Sequence, residues 1–261
     1  MELKICVCAK YVPESTETNK INPVTNRLVR EGMPKELDQG AMMGVEEGLR
    51  LVEACGGTVT VFTMGPPEAE EGLRRAIAIG AHDAVLISDP LLAGSDALAT
   101  AKVLSAALSQ VPFDLVLCGS ESTDSYTGLM PGMLAELLGL PQLTFAKSIE
   151  VRESTVLVRR DTESGSQLLA VELPALVAVT SSINRPRYPT LRGTLAAKRR
   201  RINRLRLADL GIPPRLVGPT GAKERVLSIE AVSQRRDGMI VADDGQGGIL
   251  IADYLEGLRV L

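Results

Sequence analysis

A chain of 261 residues with 45% apolar content can bury a large core, and it suits one α/β domain with decorations or one domain and a tail. No second catalytic domain fits. No apolar run reaches the roughly 18 residues of a spanning helix, and no charged-then-apolar leader stands at Met1, so the sequence predicts a soluble, cytoplasmic protein without membrane insertion. The formal net charge is only -3, yet nine basic residues and no acidic one fall between Asn184 and Arg206, so the molecule is strongly polarised.

Cys6, Cys8, Cys55 and Cys118 lack C-x-x-C spacing, and three of them lie in or beside apolar runs, which predicts reduced core cysteines rather than a metal or disulfide framework. His82 is the single histidine, which excludes paired-histidine metal sites; in Gly-Ala-His-Asp it reads as a turn residue before a strand. Neither a catalytic residue nor a metal site is expected.

In chain order, Lys4 to Ala9 is apolar enough for a central first strand. Lys10 to Glu36 is a polar excursion whose piece INPVTNRLVR reads as a hairpin turning at Pro23 to Asn26. Asp38 can cap a helix with Met42, Val45, Leu49 and Val52 on its inner face, ended by Gly56-Gly57. Thr58 to Thr63 is the second strand, Pro66 and Pro67 open the next helix, and Gly80 stops it. Ala84 to Ile87 is the third strand, Ser95 caps a helix carrying Ala97, Ala101, Leu104 and Leu108, and Phe113 to Cys118 is the fourth strand. A helix from about Gly128 to Leu138 tolerates Pro131 in its first turn. The short strands Thr144 to Val151, Thr155 to Asp161 and Gln167 to Glu172 then precede a buried strand, Ala175 to Val179.

This rhythm predicts an α/β fold, a doubly wound, mostly parallel sheet with an antiparallel extension and an extended C-terminal arm. Ligands of such sheets bind outside the carboxyl ends of the strands. The longest such end, GSESTDSYTG from Gly119 to Gly128, holds two glycines, small hydroxyl residues and Asp124 and leads into a helix. It matches neither G-x-G-x-x-G nor G-x-x-x-x-G-K-S/T, so composition leaves a capped turn and a nucleotide bed equally open.

Pro186 and Pro189 forbid regular structure between them, so the chain is expected to leave the sheet as an open, basic arm at 184–201 with Leu191 at its centre. Leu191 can be an anchor for an acidic partner or can pack locally on its own domain. The arginines can also serve only to solvate a face or to bind nucleic acid. Nucleic-acid surfaces interleave aromatics with charge, however, and only Tyr188 is available here.

The run ELPALVAVTSSINRPRYPTLRGTLAAKRRRI resembles a segment of electron-transfer flavoprotein beta subunits, where a Pro-Ala-Val/Leu strand leads to N-x-P-R-Y/F and then A-K-K/R-K/R. The upstream VLVRRDTESGSQLLAVELPALV fits the same family in order and spacing. GSESTDSYTG is similar to that family's AMP-binding loop, although it looks shorter than the version with G-x-Q-A-x-D-D-D, and Gln39 stands where Pro is frequent.

The resemblance implies a subunit without bond-making chemistry of its own, paired with an alpha subunit that holds most of the FAD. Residues 1–206 would form the nucleotide-binding domain, and 207–261 a tail packing on the partner, a self-packed terminal helix being the alternative. AMP would contact Cys8, Asp38, Gln39, Gly40, Ala41, Met64, Gly119, Ser120, Glu121, Ser122, Thr123, Asp124, Ser125, Tyr126 and Thr127. Arg187, Tyr188, Leu191, Arg192 and Lys198 would dock acyl-CoA or other flavin dehydrogenases, while neither nucleic acid nor membrane is an expected partner. Two alternatives remain: a bifurcating flavoprotein with a second FAD in place of AMP, and a homodimeric nucleotide-binding stress module.

Overall fold

Strand β1 (Leu3–Cys8) alternates Leu3, Ile5 and Val7 with Cys6 and Cys8, and all five are buried, so it needs cover on both faces. The computed structural model supplies that cover; it describes residues 2–14, 20–230, 240–241 and 243–260. After β1 come the short strands β2 (Tyr11–Pro13), β3 (Ile21–Asn22), β4 (Arg27–Leu28) and β5 (Lys35–Leu37). The expected hairpin is present: β3 pairs β4, and the Asn22 side chain accepts from the Val24 and Thr25 N–H groups at 2.9 and 3.0 Å.

Helix α1 (Gln39–Cys55) leads to β6 (Gly57–Met64), α2 (Glu70–Ile79) to β7 (Asp83–Ile87) and α3 (Ala97–Leu108) to β8 (Leu115–Gly119). The chain continues through α4 (Met130–Leu138), β9 (Gln142–Arg152), β10 (Thr155–Thr162), β11 (Gly165–Glu172), β12 (Ala175–Val179), α5 (Leu191–Arg199) and β13 (Asn203–Leu205). Among the described residues a nine-stranded sheet runs β11-β10-β9-β12-β8-β1-β6-β7-β13. Only the β9-β10 and β10-β11 pairings are antiparallel, so the mostly parallel sheet and its extension are as expected.

Two hydrophobic layers follow from the alternation in the strands. Ile5, Val7, Val59 and Val61 pack with α1 and α2, whereas Cys6, Cys8, Phe62 and Val116 pack with α3 and α4. Cys6, Cys8 and Cys118 are buried, as expected of core thiols, whereas Cys55 is half-buried at the end of α1. His82 is the expected turn residue, its Nδ1 accepting from the Val59 N–H at 3.1 Å. Among the described residues no helix is long and apolar enough to cross a membrane.

Three expectations need correction. The cap of α3 is Asp96, whose Oδ1 accepts from the Ala99 N–H at 2.8 Å, while Ser95 donates to the Leu92 carbonyl and accepts from Gly218. The arm is extended only as far as Thr190, which caps α5 by accepting from the Gly193 N–H at 3.0 Å; the residues after Pro189 form a helix. The compact unit reaches Arg225, past the expected boundary at 206, because Leu207 and Val217 are buried in it. This stretch includes a four-residue turn of helix, α6 (Gly218–Gly221). A second unit, Val226–Leu261, carries α7 (Gly247–Gly257), which buries none of its residues. Of the expected tail, residues 231–239, 242 and 261 lie outside the described ones.

Gly44 of α1 faces Val7, and a Cβ there would sit at ordinary contact, 3.4 Å from Val7 Cγ1. Gly44→Ala is therefore expected to raise stability by up to about 1 kcal/mol through helix propensity. Gly44→Leu, forced into the sheet, should lose about 1–3 kcal/mol. Urea unfolding midpoints of the two variants measure both signs.

Candidate functional site

From β1 the chain winds out through β6 and β7, then returns to place β8 on the other side of β1. That reversal opens a crevice at the carboxyl ends of β1 and β8, the favoured ligand position in a doubly wound sheet. Lys10 follows β1 there, the N-terminus of α1 enters it, and the loop from Gly119 to Gly128 closes it.

Asp38 joins two of these pieces. Its Oδ1 accepts from the Gly40 N–H at 2.9 Å, and its Oδ2 accepts from Thr123 N–H and Thr123 Oγ1 at 2.8 and 2.9 Å. One buried carboxylate thus caps α1 and ties down the loop. Beside it the two backbones nearly touch: a Cβ on Gly119 would lie 3.1 Å from the Gly40 carbonyl carbon, closer than side chains normally sit. Gly40 and Gly119 are needed for this approach. Ala41 is buried at the start of α1.

Asp124 gathers the cations. Lys10 Nζ donates to its Oδ1 at 2.6 Å and to Ser122 and Ser125 Oγ at 3.2 and 3.1 Å. Arg30, brought in after the β3-β4 hairpin, donates from Nε and Nη2 to Asp124 Oδ2 at 3.0 and 2.6 Å. Burial alone would raise the Asp124 pKa, but the two cations outweigh it and hold the carboxyl below its ordinary value. The Asp124 side chain is 2% exposed, whereas Lys10 and Arg30 are each 41% exposed, so one carboxylate faces inward between two accessible cations. The trio keeps a positive charge in excess. Lys10 and Arg30 were missed in the sequence because each lies more than 90 positions from Asp124; a lysine directly after the first strand was the only local signal.

The other expected site residues are distributed unevenly. Ser120 is turned away, its Oγ donating to the Val179 carbonyl at 3.0 Å. Glu121, Ser125, Tyr126 and Thr127 are exposed on the loop, with Tyr126 at φ 47, and Gln39 is exposed at the start of α1. The Cys8 thiol packs into the α3–α4 layer, where burial first, then Cys118 and Cys6, push it well above its ordinary pKa. Only the Cys8 backbone remains for the crevice. Met64, at the end of β6, packs at the edge of the same layer.

In the docking set, Tyr188 is 93% and Leu191 79% exposed, which overturns local packing as the role of Leu191. Arg192 and Lys198 are exposed as well. Arg187 is not free, because it pairs with Glu46 and Glu53 of α1.

Comparison with known proteins matches residues 14–210 to the family described as Electron transfer flavoprotein domain. The chain is 36% identical over 263 residues to the Electron transfer flavoprotein subunit beta of Mycobacterium leprae, covering 98% of this chain and 99% of the relative. It is 35% identical over 239 residues to the protein of the same name from Thermoanaerobacterium thermosaccharolyticum, covering 91% and 92%. The Caffeyl-CoA reductase-Etf complex subunit CarD of Acetobacterium woodii is 34% identical over 226 residues, 86% of each chain.

A pH dependence follows from Asp124. Its folded-state pKa lies below the ordinary 3.8, so its stabilising contribution is complete above about pH 4 and is lost as pH falls through the depressed value. Asp124→Asn should destabilise the protein at pH 7 by roughly 1–3 kcal/mol and flatten this acid limb. Thermal unfolding of both proteins between neutral and strongly acidic pH measures the difference.

Proposed function

The chain belongs to the electron transfer flavoprotein family as a beta subunit, and from that premise we propose that it forms a heterodimer carrying electrons from acyl-CoA or other flavin dehydrogenases to a downstream oxidoreductase. It holds AMP in the crevice between β1 and β8 and presents its basic arm to the dehydrogenase. The observation that supports the nucleotide most directly is the surplus of cation over carboxylate at Lys10, Arg30 and Asp124, beside a glycine pair that brings the loop against the start of α1. Asp124 acts indirectly in this reading, by aiming the cations that meet the phosphate, while Thr123 and the exposed loop hydroxyls line the bed. FAD, held mainly by the alpha subunit, supplies the electron storage. The beta chain makes no bonds itself.

Ile249, Ile251 and Tyr254 of α7 are exposed at 61, 62 and 60%, and such apolar surface fits a cover supplied by the alpha subunit. A homodimeric stress module has no need of the Asn184–Arg201 arm.

Mass spectrometry of the small molecules released from the purified heterodimer should find one AMP and one FAD. Two FAD would replace AMP with the bifurcating arrangement, and no adenine nucleotide besides FAD would reduce the loop to a turn. Gly119→Leu, driven against Gly40, should lower AMP content and heterodimer stability while FAD redox activity persists.

For docking, Leu191→Ala should weaken association at every ionic strength, by roughly 2 kcal/mol or more for a buried anchor. Arg192→Ala should act mainly on the association rate at low salt. Rates of electron transfer from the dehydrogenase, measured across ionic strengths alongside melting temperatures, separate these outcomes. A transfer rate unaltered by Leu191→Ala refutes the docking role.

A further inference from the structure

The arm is held at both ends. At its root, Arg187 donates from its backbone N–H and Nε to Glu46 Oε2 at 3.1 and 2.8 Å. Its Nη2 reaches Glu46 Oε1 at 3.1 Å and Glu53 Oε2 at 3.0 Å, and its Nη1 reaches Glu53 Oε1 at 2.5 Å. Asn184 Nδ2 adds bonds to the Met43 carbonyl and to Glu47 Oε2, both at 3.0 Å. Met43, Glu46, Glu47 and Glu53 follow one stripe of α1 at helical spacing, so the root of the arm runs along that helix.

At the far end the mount is α2. A helix leaves its last carbonyls without internal partners. Arg74 Nη1 donates to the carbonyls of Ala197, Arg200 and Lys198 at 2.6, 3.3 and 3.4 Å, which places a cation at the C-terminus of α5 where the helix dipole favours one. Glu70 holds Arg74 Nη2 at 2.5 Å and also pairs with Arg204. Between the two ends, α5 presses on α2 by its backbone: a Cβ on Gly193 would lie 2.2 Å from the Ala78 carbonyl oxygen.

A nine-residue helix is marginal in water by itself, and α5 buries only Ala197. Its helicity depends on this mount. Its outward face carries Leu191 and Leu195, one turn apart and 79% and 52% exposed, with the exposed cations Arg192 and Lys198 beside them.

We propose that Arg74 and Arg187 are positioning residues for partner docking: they hold α5 as a preformed helix, so that Leu191 and Leu195 enter together an apolar groove rimmed by carboxylates on the dehydrogenase. The charge of the arm, which has no acidic residue between Asn184 and Arg206, selects the acidic rim. The helical spacing of the two leucines selects a groove rather than a single pocket. Without the mount, association would have to order the helix, and that cost would appear as weaker binding. This proposal rests on the docking function proposed above.

The test uses the heterodimer with an acyl-CoA dehydrogenase as electron donor. Three mount variants, Arg74→Ala, Arg187→Lys and Glu53→Gln, the last of which alters an exposed partner of Arg187 and preserves the fold, are compared with Leu191→Ala and Leu195→Ala. Amide hydrogen exchange at residues 194–200 and the KM and kcat for the heterodimer are measured. The mount variants should exchange faster at 194–200 and raise KM on the order of tenfold, about 1.4 kcal/mol, with kcat unchanged. Leu195→Ala should raise KM with exchange unaltered.

Unchanged exchange in all three mount variants overturns the proposal while leaving docking intact. Faster exchange with an unaltered KM, when Leu191→Ala does raise KM, shows that the mount is structural only and also overturns it. A KM insensitive to Leu191→Ala refutes the docking function itself, and the proposal with it.

Discussion

Asp38, 3% exposed, accepts three hydrogen bonds with its carboxylate, and on those bonds the position of α1 depends. The helix they orient is the crossover from the central strand. Its inner face, with Gly44 against Val7 and Gly48 against Ile5 and Val59, sets how closely the layer approaches the sheet. Its outer stripe of Glu46, Glu47 and Glu53 receives the root of the arm. One helix therefore relates the crevice at its N-terminus to the basic arm along its length.

The basic segment does two kinds of work. Arg187, Arg200 and Arg204 are paired with Glu46, Asp83 and Glu70, and they hold the segment on the domain. Arg185, Arg192, Lys198, Arg199, Arg201 and Arg206 stay exposed and keep the positive field outward. Exposed pairs such as Arg200–Asp83 contribute little each, on the order of 0–1 kcal/mol. Glu46 differs, because it is 3% exposed and would be costly to leave unpaired.

Charge is handled in opposite ways at the two sites. In the crevice a carboxylate is buried so that two cations remain accessible, which favours an anion small enough to enter. On the arm, the buried Glu46 and the exposed Glu53 neutralise the root, and exposed cations flank an apolar face too exposed to serve its own core. The first arrangement suits a phosphate, the second a protein surface.

The sequence by itself determined the order of the main strands and helices as far as β12, the antiparallel extension, the hairpin at Pro23 to Asn26 and the crevice loop, but not the short strands β2, β5 and β13. Periodicity and capping are local rules, read within a few residues of Asp38, Gly56, Gly80 or Pro131. Tertiary structure decided what those rules leave degenerate. Ser95 and Asp96 are equally good caps in isolation; Asp96 caps α3 while its Oδ2 also accepts from the N–H groups of Lys223 and Glu224, and Ser95 is occupied by Gly218. Proline spacing made the arm look extended, and its helix exists because Arg74 and Ala78, more than 100 positions away, cap and support it. The Lys10–Arg30–Asp124 cluster arises in the same way, from charges that only the closing of β8 onto β1 brings within hydrogen-bond distance.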